Sequence, residues 1–129
     1  MPTPKERNMK VSYKGRKVKG SDFERLIAKK IQDAGLDDHA KRTPLSGAVF
    51  GWKGDITTPG IPIHWELKCQ ESWSPLAYYS QALEDRPNGR YIPVVVMGKN
   101  RTDPYVFFSF DDFLTILFYA LKGGLKENT

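Results

Sequence analysis

The sequence predicts an α/β domain with a central mixed β-sheet flanked by helices, and three stretches carry that prediction. "SDFERLIAKKIQDAG" repeats its apolar residues at helical spacing, with Phe23, Leu26, Ile27 and Ile31 on one face. "IPIHWELKC" alternates at period two: Ile61, Ile63, Trp65 and Leu67 point one way, and His64, Glu66 and Lys68 the other. "YIPVVVMG" is apolar throughout, the pattern of a strand covered on both faces.

The elements follow in order. Residues 1–19 form a polar, basic arm that Gly20 closes, and the first helix runs from there to Gly35, a natural stop. "HAKRTPLSGAVFGWKGDI" then alternates loosely between extended residues and glycine turns. "TTPG" supplies the turn into the alternating strand. Ser74 and Pro75 open a second helix, as N-cap and first helical residue, through "LAYYSQALEDR". The buried strand follows, then "PYVFFSF" as another strand, linked through residues 100–103. "DDFLTILFYALKGG" closes the chain as a helix, with acids in its first turn and glycines after its last. There is no internal repeat and no linker, so residues 20–129 read as one domain behind the arm. The last helix is apolar on more than one side, through Phe113, Leu114, Ile116, Leu117, Phe118 and Leu121. Either a subunit interface or deep packing in the core accounts for the excess.

Charge is distributed unevenly. Residues 1–19 hold seven basic side chains against Glu6, a net +6, whereas residues 20–129 hold 13 basic and 14 acidic ones, a net −1. An arm so poor in large apolar residues does not offset its own ordering entropy and is expected to be mobile when free. Lys14, Arg16, Lys17 and Lys19 suit contacts with nucleic-acid phosphates, from which counterions are released. A solubilising tail or a membrane-surface tether is the alternative, but the arm lacks the apolar stripe that membrane attachment needs. No signal peptide and no membrane-span-length apolar run is visible. Cys69, the one cysteine, has no disulfide partner within the chain and reads as a small buried hydrophobe, which suits a reducing cytoplasm.

The chemistry concentrates in "GDITTPGIPIHWELK". Glu66 and Lys68 emerge on one strand face roughly 6–7 Å apart at the backbone. Asp55 lies on the preceding strand and comes beside Glu66 if the two strands pair. Two acids from neighbouring strands are a liability through mutual repulsion unless they share a cation, and Mg²⁺ prefers such oxygen ligands. An ammonium beside them can orient water or steady a phosphate. The competing reading is a surface Glu-x-Lys ion pair of well under about 1 kcal/mol. Gly54 permits close approach, and Trp65 and Leu67 anchor the opposite face in the core.

The segments "GSDFERLIAKKIQDAG", "KRTPLSGA", "GDI", "WELKC" and "SQAL" occur in an order that resembles the archaeal-type Holliday-junction resolvases of the PD-(D/E)XK nuclease superfamily. The likeness spans most of residues 20–98. It implies a restriction-endonuclease-like core and a homodimeric, Mg²⁺-dependent endonuclease, with Mn²⁺ able to substitute. The implied activity is structure-selective hydrolysis that resolves four-way DNA junctions by paired cuts. On that resemblance Glu24 is the helix carboxylate of the site, and Asp55 and Glu66 are the two metal ligands, aided by Glu24 and the Leu67 backbone carbonyl. Lys68 is similar to the catalytic lysine and Ser46 to the serine of a substrate-reaching loop. Arg25 and Arg42 match positions near DNA phosphates, with Lys53 as a further contact, and Gln81 matches a glutamine behind the site. Gly54 stands where the superfamily has proline, and the arm is longer than usual, which leaves its role open.

Plainer readings stand beside several of these. Ser21 and Glu24 also fit a capping box. Ser46 can make a turn with Gly47, Arg25 can be a solvated side chain and Gln81 a structural one. His64 shares the Glu66 face, where it could touch the metal shell or the substrate, but reads more simply as a strand-end histidine in solvent; His39 reads as a loop residue. Two histidines and one cysteine without ligand spacing argue against structural zinc, and no phosphate-cradling glycine motif indicates ATP use. The rival functions are another PD-(D/E)XK nuclease of restriction, repair or replication type, a non-catalytic DNA-binding module, and an RNA-binding protein. The expected setting is the cytoplasm of a prokaryotic or phage-infected cell.

Overall fold

The computed structural model describes residues 20–43 and 53–123. Within them the chain forms helix α1 (Gly20–Asp33), strands β1 (Lys41–Arg42), β2 (Ile56–Thr57) and β3 (Ile63–Cys69), helix α2 (Pro75–Asp85), strands β4 (Ile92–Lys99) and β5 (Thr102–Phe107), and helix α3 (Phe110–Lys122). The strands make one mixed sheet in the order β1-β2-β3-β4-β5. β3 and β4 run parallel, from Ile63 opposite Ile92 to Cys69 opposite Gly98, and the other neighbours are antiparallel. The α/β reading therefore holds, with α2 as the crossover that a parallel pair requires.

Period two divides the core between the sheet's faces. Val94 and Val96 of β4, with Leu67 of β3, pack with Phe23, Ile27, Ala28 and Ile31 of α1. Trp65 and Cys69 border that cluster, as the alternation predicts. Val95 and Met97 face the other way and pack with Ala82 of α2, edged by Trp73, Tyr78 and Tyr79. Each of these large side chains contributes about 1.5–3 kcal/mol on burial. His64, Glu66 and Lys68 lie on the second face, so α2 roofs the candidate site.

The helix ends carry their own signals. Gly35 stops α1 with a φ of 77°, a left-handed conformation that glycine adopts without penalty. Ser74 precedes Pro75 as expected, although its side chain makes no capping hydrogen bond. α3 begins slightly before the acids that predict it: Ser109 is its N-cap, with Oγ accepting the Asp112 N–H at 3.1 Å. α3 has no buried residue, so the alternative of deep core packing for this helix is wrong. No described helix is long and apolar enough to cross a membrane.

Candidate active site

The β2–β3 pairing draws together residues that the sequence keeps apart. Ile56 lies opposite Trp65, and the Asp55 N–H donates to the Trp65 carbonyl at 2.9 Å, extending the pairing by one residue. Asp55 Oδ2 then accepts the backbone N–H of Leu67 at 2.8 Å. Lys68 Nζ stands 3.5 Å from Glu66 Oε2 and 5.5 Å from the centroid of the Tyr78 ring on α2. Asp55, Glu66 and Lys68 thus share one end of the sheet, and the Glu66 side chain is only 7% exposed.

Burial dominates the electrostatics. It is the main cause that pushes the Glu66 carboxyl up from 4.5 to about 7; nearby Asp55 adds to the rise, and Lys68 opposes it. Asp55 is raised too, first by burial. The Leu67 N–H pulls it down, and the Glu24 charge pushes it up. A surface ion pair does not produce this pattern. Glu66 is instead the buried member of an acid-rich group that the partly exposed Lys68 adjoins.

Glu24 reaches that group electrostatically but is held elsewhere. Arg42 Nε donates to Glu24 Oε1 at 2.9 Å, which ties α1 to β1. The capping-box alternative fails because Ser21 lies inside α1 and not ahead of it. Arg25 is exposed and pairs with Asp22 at 3.3 Å, and Lys53 Nζ lies 3.9 Å from Asp85 Oδ1. Gln81 is exposed on α2. Ser46, Lys14, Arg16, Lys17 and Lys19 lie outside the described residues.

Two features depart from the sequence reading. His64 is not a solvent histidine; it is fully buried beneath α2, and burial pushes its pKa down while Asp85 pulls it up. Alternation alone put His64 on the site face and could not show that a helix covers that face. Asp85, at the end of α2, was missed altogether, yet its charge raises both Asp55 and Glu66. A signal for it existed: an acid in a helix's last turn opposes the macrodipole, and α2 has no basic residue there to compensate.

Asp55 and Glu66 suit a hard divalent cation. Both are oxygen donors, and their raised pKa values show that this pocket disfavours two uncompensated negative charges. Among the described residues no three His, Cys, Asp or Glu side chains form a ready-made ligand group, and the Arg42 bond to Glu24 is one physical reason. Mg²⁺ commonly takes only one or two carboxylates and completes its shell with water and substrate.

A family model described as "Phage putative PDDEXK endonuclease" matches residues 15–122. No curated protein and no solved structure matches the chain.

Proposed function

This chain belongs to the phage PDDEXK endonuclease family, and from that premise we propose a divalent-metal-dependent endodeoxyribonuclease that resolves four-way DNA junctions. The observation that carries the nuclease chemistry is the convergence of Asp55, Glu66 and Lys68, with both carboxylates pushed up by burial and acidic neighbours. The junction preference rests on the resemblance of the ordered segments across residues 20–98.

Asp55 and Glu66, with the Leu67 carbonyl, would hold the cation, Mg²⁺ or Mn²⁺. When bound, it supplies Lewis acidity that draws charge from the phosphate and eases deprotonation of water. The chain's own groups do the rest. The Leu67 N–H fixes Asp55 in place. Lys68, held between Glu66 and the Tyr78 ring, offers an ammonium to the charge that grows on the phosphate. Arg42, once drawn to a DNA phosphate, leaves Glu24 able to turn toward Asp55. Arg25, Lys53 and the basic arm would contact the backbone and select by shape, not by base sequence. Ser46 would contact the substrate. Two cuts related by symmetry call for a two-fold dimer with two sites.

The test is incubation with a synthetic immobile four-way junction, with and without Mg²⁺, read on a denaturing gel beside flap, nicked and linear duplexes. Paired nicks at the junction are expected only with metal. Equal cutting of linear duplex removes the resolvase assignment and leaves another nuclease of the superfamily. Binding without any cutting leaves a DNA-binding module.

A further inference from the structure

The face of β3 that carries the acid-rich group opens in one direction. Glu66 is buried, Lys68 is partly exposed, and Gln70, the next residue at period two, is exposed. Gln70 lies just past the end of β3, but its N–H donates to the Gly98 carbonyl at 3.0 Å. The pairing with β4 and the alternation of faces thus run on through it. A substrate strand has access to the row from this end.

Tyr78 of α2 holds two members of the row at once. Its ring stands 5.5 Å from the Lys68 ammonium, a cation–π contact. Its hydroxyl, at the other end of the same side chain, donates to Gln70 Oε1 at 2.8 Å and to the Ser72 carbonyl at 3.3 Å. A planar amide whose oxygen is held in this way turns its two N–H donors elsewhere. Among the described residues no acceptor takes those donors from Gln70. Tyr78 is itself seated at the edge of the cluster formed by Ala82, Val95 and Met97. Packing fixes the tyrosine, and the tyrosine fixes an ammonium and an amide roughly 6–7 Å apart at the backbone. That spacing matches neighbouring phosphates along a DNA strand.

We propose that Gln70 donates its side-chain amide to the phosphate next to the scissile one, and that Tyr78 is the positioning residue that aligns this amide with the Lys68 ammonium. This rests on the nuclease reading above, in which Lys68 serves the reacting phosphate. A neutral donor suits the neighbouring phosphate, which gains no charge during hydrolysis and has only to be located.

The experiment places a neutral methylphosphonate at each phosphate in turn along a strand through the branch point of a labelled four-way junction. Single-turnover cleavage in Mg²⁺ and fluorescence anisotropy in EDTA are read on each substrate with the full chain. Gln70→Ala, and Tyr78→Phe, which keeps the ring over Lys68, should each cut about 3- to 10-fold more slowly, the size of one hydrogen bond. The double variant should be no slower than Gln70→Ala. One methylphosphonate beside the cut should slow the wild type and leave Gln70→Ala where it was. Tyr78→Leu, which loses the ring as well, should lose about 10- to 100-fold. Tyr79→Leu removes a ring of the same helix that packs on Phe107 instead, and should change none of this. Cleavage by Gln70→Ala at the wild-type rate overturns the proposal, as does a wild-type response of that variant to every methylphosphonate. An equal loss in Tyr79→Leu overturns it too, since that would report a loosened α2 alone. A wild-type protein that binds the junction but never cuts it ends the nuclease reading. The Gln70 contact is then decided by affinity, and stands only if one methylphosphonate weakens binding by the wild type and not by Gln70→Ala. A wild-type protein that binds no DNA ends both.

Discussion

Asp55 Oδ2 accepts the Leu67 N–H at 2.8 Å, so the carboxylate that opens the candidate site also closes a link between β2 and β3. Its two jobs are separable. An asparagine at this position keeps an acceptor oxygen for the N–H and loses the charge that a cation needs. Asp55→Asn should therefore stay folded, with a melting temperature at or above wild type in EDTA, and should lose at least about 100-fold in cleavage. Asp55→Ala should lose cleavage and about 1–3 kcal/mol of stability as well, because the Leu67 N–H is left unpaired. Thermal melts beside gel assays decide it. Full cleavage by Asp55→Asn would show that its charge plays no part.

Much of this arrangement is readable in the sequence, for physical reasons that differ between elements. β3 announces itself because its side chains face two environments, and β4 because both of its faces are covered. α1 is legible in Phe23, Ile27 and Ile31, which are buried as their spacing predicts. Asp55 could be assigned to Glu66's neighbourhood because a short turn returns the chain antiparallel. What the pattern cannot carry is which face each helix roofs. His64 and Glu66 alternate identically, and only the placement of α2 buries both. The Arg42–Glu24 bond, 18 residues apart in the chain, and the approach of Asp85 are likewise products of tertiary packing.

Glu66 gives the metal-free protein an unusual pH dependence. Its folded pKa is about 7 against an ordinary 4.5, so between those values the folded state binds more protons than the unfolded one. Stability from this group is complete below about pH 4.5, falls as pH rises through 7, and levels off above that. Asp55 shifts in the same direction. The loss is on the order of 3 kcal/mol for Glu66. In EDTA, Glu66→Gln should melt above wild type at pH 8, with the gap closing toward pH 5. Divalent metal should raise the wild type and leave the variant nearly unmoved. Parallel melting curves for the two proteins across that range would contradict the burial argument.

Lys68 separates chemistry from binding. Its ammonium lies 3.5 Å from Glu66 and against the Tyr78 ring, so it serves the reacting phosphate and not the general grip on the DNA backbone. Lys68→Ala should reduce single-turnover cleavage by about 10²- to 10⁴-fold, while junction affinity in EDTA stays within a few-fold. Its removal also deletes a charge that holds the Glu66 pKa down, so the pH at which the metal-free protein loses stability should move higher. Undiminished cleavage would remove Lys68 from the proposed chemistry.

The exposed stripe on α3 gives the last prediction. Phe110, Phe113, Leu114, Leu117, Phe118 and Leu121 fall on one side of the helix at spacings of three and four, and each is between 36% and 71% exposed. Asp112, Ile116 and Ala120 lie on another side and are partly covered by the body of the domain. Tyr105 and Val106 add exposed area on the neighbouring edge strand β5. Together these side chains offer on the order of 700–900 Å² of largely apolar surface, about what one partner contributes to a standard interface. The proposed dimer would use this surface, because a stripe without charges is complementary to itself about a two-fold axis. Sedimentation should show a dimer at micromolar concentration. Leu117→Asp, which places a charge at the centre of the stripe, should give a folded monomer with an unchanged circular dichroism spectrum. That monomer should nick one strand of a four-way junction without the coupled second cut. A wild-type protein that sediments as a monomer at all concentrations would leave the α3 stripe without its proposed occupant and the paired cuts without their symmetry.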